Sequence, residues 1–178
     1  MKKLSYLIAI CCLLSIQAIA QDWQKYKSED LAFIAYFPET PKRTVQQVDT
    51  AVGTLDMHMV MCTPQQDDNV VYSTIKSDYP EEQFIDADDK YNTTVLDGAV
   101  KGAVSNVNGT LIFDKKITFN GYPGRDVKIE IQGGFIYIRV VLVTNSMYIS
   151  QVICTPENDN NSKIERFLDG FEIIKVKQ

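Results

Sequence analysis

The chain has 178 residues, 45% of them hydrophobic, with a formal charge of −5, one histidine and four cysteines. Its length suits one domain with a sizeable core. Lys and Arg are scattered, which excludes the clustered cationic face that nucleic acid or an anionic membrane surface demands.

Residues 1–20 have the form of an export signal: Lys2 and Lys3 are a basic start, residues 4–19 an apolar stretch, and Ala18-Ile19-Ala20 a small-x-small cleavage site. Cleavage there is expected to leave residues 21–178 as a single domain. Cys11 and Cys12 lie inside the apolar stretch without the preceding small residue of a lipidation site, so plain cleavage is expected. Lys2 and Lys3 leave with the signal and no acid does, which takes the charge from −5 to −7. No later run reaches the ~18 apolar residues of a membrane span, and the most apolar one, 135–143, is interrupted by Arg139. An exported protein, periplasmic or secreted, is the expectation.

Further along, Trp23 and Tyr26 lead into an apolar strand over 31–37 that Pro38 and Pro41 stop. The β-rich runs 44–50 and 54–62 flank Ala51-Val52-Gly53, a hairpin turn, and a strand over 70–77 follows. From Glu81 to Asn106 the apolar residues fall at helical spacing, with acids in the first turns, predicting a long helix with a break near 86–89. Its small residues, Gly98-Ala99 and Gly102-Ala103, suit close packing on a sheet. Four strands are then predicted over 110–119, 125–132, 135–144 and 147–154, separated by turn-forming stretches. A turn at Thr155-Pro156, a helix through Phe167 with Ile164, Phe167 and Leu168 on its apolar side, and a strand over 171–176 close the chain. The pattern is α+β: a central, mostly antiparallel twisted sheet with helices on its faces.

Four stretches, Phe33 to Pro41, the turn Asn120 to Asp126, Arg139 to Tyr148 and Ile164 to Ile174, together resemble the PsbP-like superfamily, which includes small exported bacterial proteins of the DcrB-like kind. The resemblance implies a PsbP-like sandwich. Known roles in that superfamily, among them an extrinsic subunit of the oxygen-evolving complex and a Ran-binding nuclear import factor, are docking and assembly. The matching stretches are turns and core patterns, so the resemblance transfers no site residue.

Catalysis has little to work with. His58 alone would have to serve any Ser-His-Asp or Cys-His system, and no nucleophile elbow accompanies it. Zinc would need more His and Cys than the chain supplies, and the acids at 67–68 and 86–89 lack a calcium-loop pattern. A Cu(I) site is the sharper metal reading. In a strand Met57, Met59 and Met61 share one face while His58 and Cys62 share the other, and thioethers select Cu(I). Core packing of the Leu55, Met57, Met59 and Met61 face is preferred, because His58 and Cys62 point away from the thioethers. Cys62 and Cys154 each precede Thr-Pro at a strand end. Two buried thiols are the preferred reading, a Cys62–Cys154 disulfide the alternative, and a redox pair, lacking Cys-x-x-Cys spacing, comes third.

The functional expectation is therefore a non-enzymatic accessory protein, monomeric, without cofactor, that docks onto another envelope protein through a sheet edge or a helix-sheet cleft. The alternative is a binder of a small ligand or of Cu(I).

Overall fold

The structure, a computed structural model, describes residues 23–50 and 53–174. The expected export signal at 1–20 lies outside the described residues, as do Ala51 and Val52 of the expected hairpin turn and residues 175–178. The first two strands, β1 (Gln24–Ser28) and β2 (Phe33–Phe37), form an antiparallel hairpin. Near the far end of the chain, β10 (Glu172–Ile173) adds to the other side of β2, giving a three-stranded sheet of order β1-β2-β10.

The large sheet is built from two meanders. Strands β3 (Lys42–Thr50), β4 (Gly53–Cys62) and β5 (Asn69–Asp78) form the first. Helix α1 (Asp89–Asn106) then carries the chain across one face to the far edge. There β6 (Thr110–Phe119), β7 (Tyr122–Ile131), β8 (Gly134–Val143) and β9 (Ser146–Cys154) run back toward the middle. Antiparallel pairing of β5 with β9, from Asn69 opposite Cys154 to Asp78 opposite Ser146, joins the halves into the order β3-β4-β5-β9-β8-β7-β6. Helix α2 (Ser162–Asp169) returns the chain to the small sheet. The result is the PsbP-like α+β sandwich: α1 on one face of the seven strands, α2 and the small sheet on the other.

Local chemistry explains the deviations from the predicted elements. The break expected near 86–89 is present: Asp88 is extended and caps α1 by accepting from the Tyr91 backbone N–H at 2.7 Å, and what precedes it is only a short 3₁₀ turn, Glu81–Gln83. The expected five-residue turn at 120–124 is instead a two-residue hairpin. Asn120 and Gly121, at φ 51° and 86°, make the turn, and β7 already begins at Tyr122. Gly124 is therefore a strand residue, and its need for glycine is close approach: an added Cβ would lie 2.5 Å from the Val140 carbonyl oxygen. Helix α2 starts at Ser162, where the Asn161 side chain caps it by accepting from the Lys163 backbone N–H at 3.0 Å. Strand β1 was not resolved from its aromatic lead-in at all, since five residues of mostly polar edge strand carry no alternating pattern.

Two cores result. One lies between the large sheet, α2 and the small sheet and is rich in rings: Phe33, Phe37, Tyr72, Tyr148, Phe167 and Phe171. The other, under α1, is mainly aliphatic, with Leu96 and Val100 set on Val127, Ile129, Ile136, Ile138, Val140 and Leu142.

Candidate functional site: an apolar cleft and its rim

Helix α1 lies over the β6 to β8 half of the large sheet. Its position is held by Leu96 and Val100 and by an ion pair from the buried Arg125 of β7 to Asp97. The other half of the same face has no helix above it. There the wall of α1, Ala99, Gly102, Ala103 and Asn106, stands beside a floor of Ile75 from β5, Ile149 from β9 and Val140 from β8. Leu55 and Met57 of β4 and Val48 of β3 form the opposite side. These surfaces enclose an open cleft of about 320 Å³. The volume is within the range of small-molecule sites.

Among the described residues no charged side chain lines it. Its polar groups are Ser77, Tyr79, Asn106 and Gln151, together with a wall that is otherwise aliphatic or thioether. Burial, then the nearby Tyr91, pushes the Tyr79 phenol above its ordinary value of 10.0, so it is a neutral hydrogen-bonding group at physiological pH. Such a cleft can bind by exclusion of water and by a few neutral hydrogen bonds. Its lining contains no acid-base pair and no activated nucleophile.

The small residues of α1 create this space. They were expected to bring the helix close to the sheet, and Ala99 and Ala103 do pack on the aliphatic core. A Cβ added to Gly98 or Gly102, however, would meet no atom within 4 Å. The signal for the cleft was thus present in the sequence as a small-residue stripe, but a stripe alone does not distinguish close packing from room left open.

At the end of α1 the apolar surface continues outward. Val107, which lines the cleft, is 40% exposed, and beyond the Asn108-Gly109 turn Leu111 and Ile112 of β6 are 43% and 48% exposed. β6 ends the sheet, and its pairing with β7 is interrupted by a bulge between Leu111 and Phe113. An edge strand with exposed apolar side chains is a surface prone to pairing with another chain.

The residues singled out from the sequence are dispersed. Alternation places Met57, Met59 and Met61 on the α1 face: Met57 lines the cleft, Met59 is half-buried and Met61 lies at the surface. His58 is on the opposite face with the Arg43 guanidinium 3.5 Å from its Nδ1 and Lys76 across the strand. Among the described residues no three His, Cys, Asp or Glu side chains gather in a metal-binding group. Cys62 and Cys154 are both free and buried, at the same end of the sheet as expected. They lie on β4 and β9 with β5 between them. Two strand spacings of ~4.8 Å put them roughly 10 Å apart laterally, beyond the ~7 Å Cα limit for a disulfide. The alternative of a Cys62–Cys154 disulfide is therefore not formed in this structure. Burial, the largest influence on each, raises both thiols above the ordinary 9.0.

One cluster near those cysteines went unread in the sequence. The Asp67 carboxylate, its side chain wholly buried, accepts from Tyr72 Oη at 2.6 Å, from the Asn69 backbone N–H at 3.0 Å and from Lys163 Nζ at 2.9 Å. Asn69 and Asn161 exchange side-chain hydrogen bonds beside it. These contacts tie the β4–β5 loop to the start of α2. They close an end of the sandwich and keep the Asp67 carboxylate from solvent.

No family model and no curated protein matches the chain. Among solved structures, the fold is similar to the solution structure of cyanobacterial PsbP (CyanoP) from Synechocystis sp. PCC 6803, with a TM-score of 0.57 and 13% identity over 91% of this chain and 99% of that one. At that identity the likeness establishes the PsbP-like fold and nothing finer. Among the described residues no helix is long and apolar enough to cross a membrane.

Proposed function

We propose that this chain is a non-enzymatic accessory protein of the cell envelope, exported by its N-terminal signal, that works by docking onto another protein. The observation that carries the reading is the exposed apolar rim formed by Val107 at the end of α1 with Leu111 and Ile112 of β6, which is an edge strand among the described residues. Crosslinking in the native envelope followed by affinity capture tests it. A discrete partner is expected with the wild type and lost with the double variant Leu111→Lys, Ile112→Glu, which should keep its melting temperature because both positions are exposed. Recovery of no specific partner, or of the same partner by the variant, would overturn the proposal.

The cleft favours a second reading, in which the protein carries a small ligand between α1 and the sheet. Its support is an uncharged apolar hollow of about 320 Å³ that the fold itself does not fill. Both readings use the same side of the molecule.

A further inference from the structure

Resting on the small-ligand reading, we propose that the occupant of the cleft is an uncharged aliphatic molecule of medium chain length, with a hydroxyl or carbonyl at an end. Size sets the first limit. At about 320 Å³ the cleft is at the small end of small-molecule sites, a size that suits a medium-length aliphatic chain.

Charge sets the second. A carboxylate, phosphate or ammonium brought into this lining would lose its hydration and find no ionic partner. Arg125, a buried cation on that face, is already engaged by Asp97, with Asp114 3.8 Å from its Nε. Lys76 belongs to the other face of β5 and is paired with Asp78. The four polar groups that do line the cleft can each serve an uncharged oxygen.

Shape sets the third. Of the rings on the α1 side, Tyr79 alone reaches the cleft, while Phe84 and Tyr91 stack on one another at the start of the helix. A planar aromatic ligand would find little to stack on, whereas Ile75, Ile149, Leu55 and Met57 offer the short branched and flexible contacts that suit a chain. The polar groups also lie toward two ends. Ser77 sits opposite Met147, and Gln151 is four residues further along β9, about 13 Å at the rise of an antiparallel strand. A chain laid along β5 and β9 would bring an end to one of them.

The test uses tritium-labelled 1-decanol as the probe: its uptake by purified protein stripped of lipid, followed by displacement with unlabelled 1-decanol or with decanoate at pH 8. Unlabelled decanol is expected to displace the probe at a concentration at least tenfold below that of decanoate. Two helix variants locate the site. Gly102 lines the cleft and Gly98 does not, yet both have open space at Cβ, so both tolerate a side chain. Gly102→Leu should weaken uptake at least tenfold and Gly98→Leu should not, and each should melt at or above the wild-type temperature. Gly102→Ala, a smaller graft, should fall between wild type and Gly102→Leu. If the wild type takes up no probe, or if Gly102→Leu and Gly98→Leu behave alike, the small-ligand reading falls and the proposal with it. If Gly102→Leu abolishes uptake but decanoate competes as well as decanol, the cleft stands and its preference for an uncharged ligand is overturned.

Discussion

On one face of the seven-stranded sheet, the ring of Phe167 lies 5.2 Å from that of Tyr72 and 5.3 Å from that of Phe37, with Trp23 stacked edge-on to Tyr72 and covered by Arg166. On the other face, Leu96 and Val100 of α1 sit on short aliphatic side chains, and beside them the surface falls away into the cleft. The first face is interlocked by shape and by buried polar ties such as Asp67 to Tyr72 and Arg139 to Asp126. The second is held by one helix at one side. Tight aromatic packing fixes where the sheet, α2 and the small sheet sit, and that rigidity lets the α1 face leave volume unfilled without collapse. Stability thus rests on one side of the sheet, and the binding proposed above uses the other.

The largest expected effect tests that division directly. Phe167→Ala removes a ring that is 1% exposed and shared by three aromatic neighbours, and should cost about 3–5 kcal/mol of unfolding free energy in a denaturant titration. Leu96→Ala, equally buried under α1, should cost nearer the low end of its range, about 2 kcal/mol, because the helix borders space into which it can settle. Equal losses would break the comparison.

Gly124→Val comes next. The new side chain would press on the Val140 carbonyl and on Ile117, where β7 is paired on both sides with β6 and β8, and should cost about 1–3 kcal/mol by the same titration. Gly121→Val, at φ 86° in open space, would instead strain the backbone alone. A Gly124 variant as stable as wild type would mean that β7 and β8 can separate there.

How much of this was legible in the sequence divides along the same line. Strands β6 to β9 were readable because Asn120-Gly121 and Gly133 mark their hairpins and because apolar runs bury on both faces in the sheet centre. The pairing of β5 with β9 was not, since it joins segments some seventy residues apart and no turn records it. Met57, Met59 and Met61 were correctly placed on one face by alternation, but only tertiary packing decides that Met57 meets a cleft while Met61 meets solvent. The rim was unread because Leu111 and Ile112 look like any apolar pair in a strand until β6 is known to be an edge.

Smaller still is the effect of Gly102→Ala. The residue is in mid-helix, an added Cβ meets nothing, and alanine should stabilise α1 by about 0.5–1 kcal/mol, read as a rise in melting temperature. A fall would mean that the helix sits closer to the sheet than the structure has it, and would remove the cleft.

Acid separates the faces in another way. Burial works to raise the Asp159 carboxyl, but hydrogen bonds from Lys128 at 2.7 Å and Tyr137 at 2.5 Å outweigh it, leaving the pKa below the ordinary 3.8. A depressed folded pKa contributes stability that is present above 3.8 and is lost as pH falls through the folded value. The contribution of this group to the melting temperature should therefore be full and independent of pH between pH 5 and 8 and should decline below about 3.8. Asp159→Asn should flatten part of that decline, and an unchanged acid limb would show that the carboxylate is not held as the geometry has it.

The smallest expected change is none at all, and it concerns the two cysteines on the aromatic side. A bridge closing a loop of about ninety residues would be worth roughly 4–5 kcal/mol, so reductant would lower the stability of a bridged protein by about that much. With β5 between their strands and both thiols buried, Cys62 and Cys154 should instead leave the denaturation midpoint unmoved by reductant. Protein beginning at Gln21, denatured without reductant, should release two titratable thiols, and the native protein should react no faster than it unfolds, since burial both hides each sulfur and disfavours its thiolate. Finding no free thiol, with a reductant-sensitive midpoint, would require β4 and β9 to come together and would displace β5 from between them.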